Sequence, residues 1–264
     1  MAWSVHASLP PPSIDPALLL AAYRVGVFPM ADTRDDPDIY WVEPRRRAIL
    51  PLDGFRCSRS LARTLRRGRF EVTCNVAFDR VIAECAAPRR ETEETWISAR
   101  ITQAYRDLHE LGHAHSIECW QAGELVGGLY GVGFDRVFCG ESMFSRVPDA
   151  SKVALAWLVA ALRTAGGQLL DCQFITAHLS SLGAVEITQA RYLKLLAAAQ
   201  SSAVAGTGGL AAGAAEGAGE GLGDAAAEGV AAGLPAGFDA LLAAAERSSS
   251  SPGNFIAQSF TQTS

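Results

Sequence analysis

The sequence predicts an α+β fold, on three observations. Helix-period and strand-period patterns alternate between about residues 51 and 197, three consecutive strand patterns are joined by tight-turn residues, and a long apolar helix pattern runs straight into a short strand. Taking the elements in order, Ser13-Ile14-Asp15-Pro16 supplies a capping side chain and then a proline, which starts a helix over residues 17–24 that Gly26 stops. Ser58 caps a second helix ending at Gly68, with Arg59, Arg63, Arg66 and Arg67 on neighbouring faces. Ser98 opens a third, with Ile101, Tyr105 and Leu108 on one side and Gly112 as its stop. Residues 116–120, 124–133 and 136–140 read as strands turning at Ala122-Gly123 and Phe134-Asp135, an antiparallel meander. Asp149 is placed to cap a helix over 150–165 that ends at Gly166-Gly167, and a strand over 169–174 follows.

Composition divides the chain into three regions. Residues 1–50 form a proline-punctuated N-terminal subdomain, 51–200 the body that carries the chemistry, and 201–264 a low-complexity linker and tail. The stretch 201–237 holds eleven glycines among alanines, too little apolar mass to offset the entropy of ordering. It is expected to be a flexible linker, followed by a short helix over 238–247 and a polar tail, and cutting after Gln200 is expected to leave a folded, active body. Of 264 residues 49% are hydrophobic, enough for a substantial core. The six cysteines form no Cys-x-x-Cys pair, which disfavours a disulfide framework or a zinc site and predicts reduced thiols. His113-Ala114-His115 has no clustered acids or thiols, so no metal is assigned. The apolar run around Leu18-Leu19-Leu20 follows no basic segment and is too short to span a bilayer, leaving the cytoplasm as the expected location. The net charge of −5 is concentrated at one end: 22 basic and 22 acidic residues lie in 1–200, against 1 and 6 in 201–264. Nine arginines stand against the single Asp53 between residues 45 and 69, a local charge that suits phosphates.

The most telling segments are Phe138-Cys139-Gly140-Glu141-Ser142-Met143-Phe144-Ser145, Asp149-Ala150-Ser151-Lys152 and Asp171-Cys172-Gln173. Strand alternation aims Asp171 and Gln173 at one face and Cys172 at the other, so Cys172 reads as a structural thiol rather than a nucleophile. An isolated Asp-x-Gln is ordinarily a strand end bonded to backbone. Here the three segments, with 20–29, Thr95-Trp96-Ile97, 109–118, 125–132 and 182–187, closely resemble the leucyl/phenylalanyl-tRNA-protein transferases across roughly residues 16–192.

That resemblance implies a GNAT-like acyltransferase domain over 51–200 and aminolysis of the ester joining an amino acid to tRNA, with neither cofactor nor metal. It implies that Gln173 accepts a hydrogen bond from the attacking amine while Asp171 orients it. The implied substrate-binding residues are Met30, Trp96, Leu129, Phe138, Glu141, Leu158, Leu162 and Leu170, with Leu155 beside them. Taken singly each of these leucines is a core residue. Arg59, Arg63, Arg66 and Arg67 would hold tRNA phosphates. The implied partners are tRNA charged with Leu or Phe, with Met as a further donor, and proteins with N-terminal Lys or Arg, marked in this way for N-end-rule degradation. Met30 stands where the family commonly has tryptophan, and Tyr40-Trp41-Val42-Glu43-Pro44 where it has Trp-Trp-Ser-Pro, so donor preference is open. Two other readings remain: an acyl-CoA-dependent N-acetyltransferase, which would want a glycine-rich pyrophosphate loop where Pro148-Asp149 supplies an acid, and a non-catalytic tRNA- or protein-binding module using the arginine face.

Overall fold

The computed structural model describes residues 13–88, 94–204 and 230–260. Asp15 opens α1 (Pro16–Arg24), its carboxylate accepting from Ala17 N at 2.8 Å. β1 (Phe28–Met30) and β2 (Tyr40–Val42) form a two-stranded antiparallel sheet, and β3 (Arg46–Ile49) leads to α2 (Arg59–Arg66), capped by Ser58. Next come β4 (Glu71–Cys74), α3 (Phe78–Ala86) and α4 (Ala99–Glu110), the last capped by Ser98. β5 (Ala114–Gln121), β6 (Glu124–Phe134) and β7 (Val137–Ser145) are the expected meander. Its turns put Ala122 and Asp135 in the left-handed region. α5 (Ala150–Thr164), β8 (Leu169–Gln173), α6 (Ala177–Ser181), β9 (Val185–Thr188) and α7 (Gln189–Val204) complete the body, followed by α8 (Val230–Arg247) and α9 (Pro252–Ser259).

Seven strands make one sheet in the order β4-β5-β6-β7-β8-β3-β9, antiparallel except for β7 beside β8. The chain is thus mixed α/β on a mostly antiparallel sheet. β7 and β8 pair only from Val137 to Cys139 and then part, β7 continuing along β6 to Ser145. β3 lies between β8 and β9, so residues 46–49 of the N-terminal region belong to the large sheet.

Two cores cover the two faces. One gathers side chains of α1, α3, α4 and α7 against Tyr130, Val132, Val137 and Cys139. The other packs α2 and α5 against Ile117, Leu129, Phe138 and Leu170, and it also contains Leu234, Phe238, Leu241, Ile256 and Phe260. The reason is α5, which is buried on nearly every side and needs a cover opposite the sheet. α8 supplies it, with Phe238 tilted on Trp157 at 5.0 Å.

The expectation of a flexible tail therefore fails for 234–260, which docks into the core, and a cut after Gln200 would strip that cover from α5. The helix expected over 238–247 is present within α8. The glycine-rich stretch 205–229 lies outside the described residues. Asp149 does sit at the start of α5, but in the left-handed conformation with no capping bond. Its carboxylate accepts from Lys152 Nζ at 3.0 Å, and Ser145 Oγ takes Ser151 N instead.

Phe238→Ala should lower unfolding free energy by about 3–5 kcal/mol in chemical denaturation, the cost of an aromatic-sized void in a packed core. A change below about 0.5 kcal/mol would mean that α8 is only loosely docked.

Candidate active site

At the end of β8 a polar network crosses from deep burial to the surface. Asp171 is wholly buried and grips Arg47, itself 1% exposed, with Arg47 Nε at 2.9 Å from Oδ1 and Nη2 at 2.5 Å from Oδ2. Arg47 Nη1 donates to Gly26 O at 2.9 Å, and the guanidinium lies between the rings of Phe28 and Tyr192, at 4.7 and 4.5 Å. Tyr192 Oη donates to Asp171 Oδ2 at 3.0 Å. Burial works against the guanidinium charge, but the Asp171 hydrogen bonds and charge leave its pKa raised.

Asp171 Oδ1 also accepts from Gln173 N at 2.9 Å. That bond helps hold Gln173 in the left-handed region, φ +53°, a conformation uncommon for a side chain of this size. The amide of Gln173 then reaches across the gap where β7 and β8 part, Nε2 donating to Glu141 Oε1 at 2.9 Å. A carboxylate only accepts, which fixes the amide orientation. Gln173 Oε1 has no protein donor among the described residues. Glu141 Oε2 accepts from Tyr105 Oη at 2.8 Å, and the Tyr105 and Tyr23 hydroxyls are 2.6 Å apart. Burial pushes the Glu141 carboxyl up to about 7, against the hydroxyls of Tyr105 and Tyr23, which lower it; the Asp171 charge raises it further.

Asp171, Gln173 and Glu141 are thus brought together, with Asp171 behind Gln173. Arg47, Tyr23, Tyr105 and Tyr192 complete the network without having been singled out for it. Arg47 departs from expectation: counted in the phosphate-binding run, it is an internal counter-ion, while Arg46 pairs with Glu186 at 2.8 Å. Arg59, Arg63, Arg66 and Arg67 are exposed and form no ion pair among the described residues. Cys172 turns to the opposite core, where burial raises its thiol pKa. Leu129, Phe138, Leu155, Leu158, Leu162 and Leu170 lie in that same core, across the sheet from the network. The two sides adjoin where β7 and β8 separate. Met30 and Trp96, both half-buried, pack against the other core, on the network's side. Phe174, 47% exposed, follows Gln173 and meets Phe28 edge-on at 5.9 Å. Among the described residues no group of three or more His, Cys, Asp or Glu is placed to hold a metal. No described helix is long and apolar enough to cross a membrane. At the start of α5 a Cβ on Gly127 would meet Ala150 Cβ, so strand β6 and helix α5 touch there.

Comparison with known proteins identifies the family. Residues 49–197 match the family described as leucyl/phenylalanyl-tRNA protein transferase, and 13–45 match its N-terminal domain. The chain belongs to this transferase family. A leucyl/phenylalanyl-tRNA-protein transferase of Novosphingobium aromaticivorans is 65% identical over 258 residues, 96% of this chain and 98% of that protein. Those of Rhizorhabdus wittichii and Zymomonas mobilis are 62% and 58% identical, covering 74% and 72% of this chain and 79% and 70% of their own. The enzyme is accordingly an aminoacyltransferase, and its family's name makes an aminoacyl-tRNA and a protein its substrates. Helices α8 and α9 of the transferase lie beyond both matched regions.

Between the usual carboxyl value of 4.5 and about 7, the folded enzyme keeps a proton on Glu141 that the unfolded chain has released. This carboxyl's contribution to stability therefore falls as pH rises through that window. Melting temperature followed against pH should show Glu141→Gln removing part of the decline. An unchanged slope would show that Glu141 titrates as an ordinary surface carboxyl.

Proposed function

We propose that the enzyme transfers leucine, phenylalanine or methionine from charged tRNA to the N-terminal Lys or Arg of acceptor proteins, marking them for N-end-rule degradation in the cytoplasm. The observation that carries this reading is Gln173, anchored through its backbone by Asp171 and through its amide nitrogen by Glu141, with its carbonyl oxygen left open. In the reaction the acceptor's α-amine attacks the ester carbonyl, an amide C–N bond forms, the ester C–O bond to the terminal ribose breaks, and the amine's proton passes to the departing ribose oxygen. Gln173 Oε1 accepts a hydrogen bond from the amine and fixes its approach. The ester is already activated, so positioning supplies most of the rate. Asp171 acts through Gln173 rather than on the amine, being fully buried and occupied by Arg47. Glu141 lends negative charge beside the amine once it ionises, near pH 7, which suits a basic N-terminal residue.

The donor side chain enters where β7 and β8 separate, toward Leu129, Phe138, Leu158, Leu162 and Leu170, while Met30 and Trp96 flank the terminal adenosine from the other side. A GNAT-like relationship of the body is supported by the parallel β7-β8 pair that parts beside the long helix α5. Arg59, Arg63, Arg66 and Arg67 hold acceptor-stem phosphates without reading sequence.

Gln173→Ala should cut aminolysis about 10²- to 10⁴-fold at saturating donor and acceptor, with charged-tRNA binding near normal. Asp171→Asn is the companion closest in shape, and because it too leaves Arg47 without a counter-ion its retained fold is to be shown by circular dichroism. Wild-type turnover in both would remove them from the mechanism. Replacing Arg63, Arg66 and Arg67 together with alanine should raise the KM for charged tRNA and flatten its salt dependence, while sparing turnover on a minimal aminoacyl-adenosine donor. Equal loss on both donors would make the patch structural.

A further inference from the structure

We infer that α9 is a positioning element for donor tRNA: it holds the arginine-bearing helix α2 in place and so sets how tightly charged tRNA binds. The inference rests on the phosphate-binding reading of the arginine face. α2 is eight residues long, well below what sustains a helix alone in water. Its buried stripe, Leu61, Ala62 and Leu65, faces inward while its arginines face solvent. α9 supplies more of the packing under that stripe than α5 does. The approach is close: a Cβ added to Gly253 would fall 2.1 Å from Leu65 O, so only glycine lets the two backbones meet this way. Ile256 and Ala257 are fully buried, and Phe260 packs on Phe55 at 4.8 Å, just ahead of α2. None of these residues approaches the Asp171–Gln173–Glu141 network. α9 is therefore coupled to the donor's phosphates and not to the chemistry.

The test uses full-length Gly253→Ala, in which α9 must shift off Leu65. Amide hydrogen exchange across α2 should quicken about tenfold, while the centre of α5 stays protected. The KM for leucyl-tRNA should rise about tenfold with a shallower salt dependence, and kcat and KM on a minimal leucyl-adenosine donor should stay at wild-type values. Unchanged exchange in α2 overturns the inference whatever happens to KM, as does loosened α2 with unchanged KM for leucyl-tRNA. Assaying the triple Arg63, Arg66 and Arg67 alanine variant alongside separates the two readings. If it too leaves KM unaltered, the arginine-face reading has failed; if it alone raises KM, only the α9 inference has. Should Gly253→Ala fail to fold, Ile256→Val loosens the same contact more gently and is held to the same outcomes.

Discussion

A buried ion pair survives only when its geometry compensates for the loss of water around both charges. Arg47 and Asp171 meet that condition. The carboxylate is engaged by two guanidinium nitrogens, a tyrosine hydroxyl and a backbone amide, while the guanidinium's remaining edge finds a carbonyl and its faces find aromatic rings. The pair ties β3 to β8 and draws in the end of α1, strand β1 and helix α7. Its fully satisfied bonding makes it a rigid floor for whatever lies above it.

What lies above is a graded series of polar groups. Asp171 is sealed, Gln173 is nearly so, and Glu141 is partly buried beside a pair of buried tyrosines. Strain at Gln173 is tolerated because both ends of the residue are held, one by backbone and one by side chain. The amide is therefore held in one orientation by bonds of the fold itself.

Local features were legible in the sequence. Ser58, Ser98 and Asp15 cap helices as their side-chain chemistry dictates, the meander follows from its turns, and the period of two puts Asp171 and Gln173 on one face. Long-range pairing was not legible: nothing local distinguishes Arg47 from the eight arginines around it, because its partner lies 124 residues away. The docking of α8 and α9 was obscured by the glycine and alanine that dominate the preceding stretch. Two signals were nonetheless present. The helix around Trp157 is apolar on nearly every side between Val153 and Leu162 and needs a second cover, and Leu234, Phe238 and Leu241 recur at helical spacing. Asp149 shows the limit of residue-type reasoning, since an acid at the start of a helix was drawn to a lysine instead of to the backbone.

The place of β3 in the sheet governs how the chain can be assembled during synthesis. β3 is made early, yet both its neighbours, β8 and β9, come from the last part of the body. Until they emerge, the nascent strand has two unpaired edges and carries an arginine with no counter-ion. Closure of the sheet is thus a late, non-local event, slow by the same loop-entropy argument that makes high contact order slow. A chain ending before Leu169 would have neither partner for β3 and would leave both of its edges open to other strands.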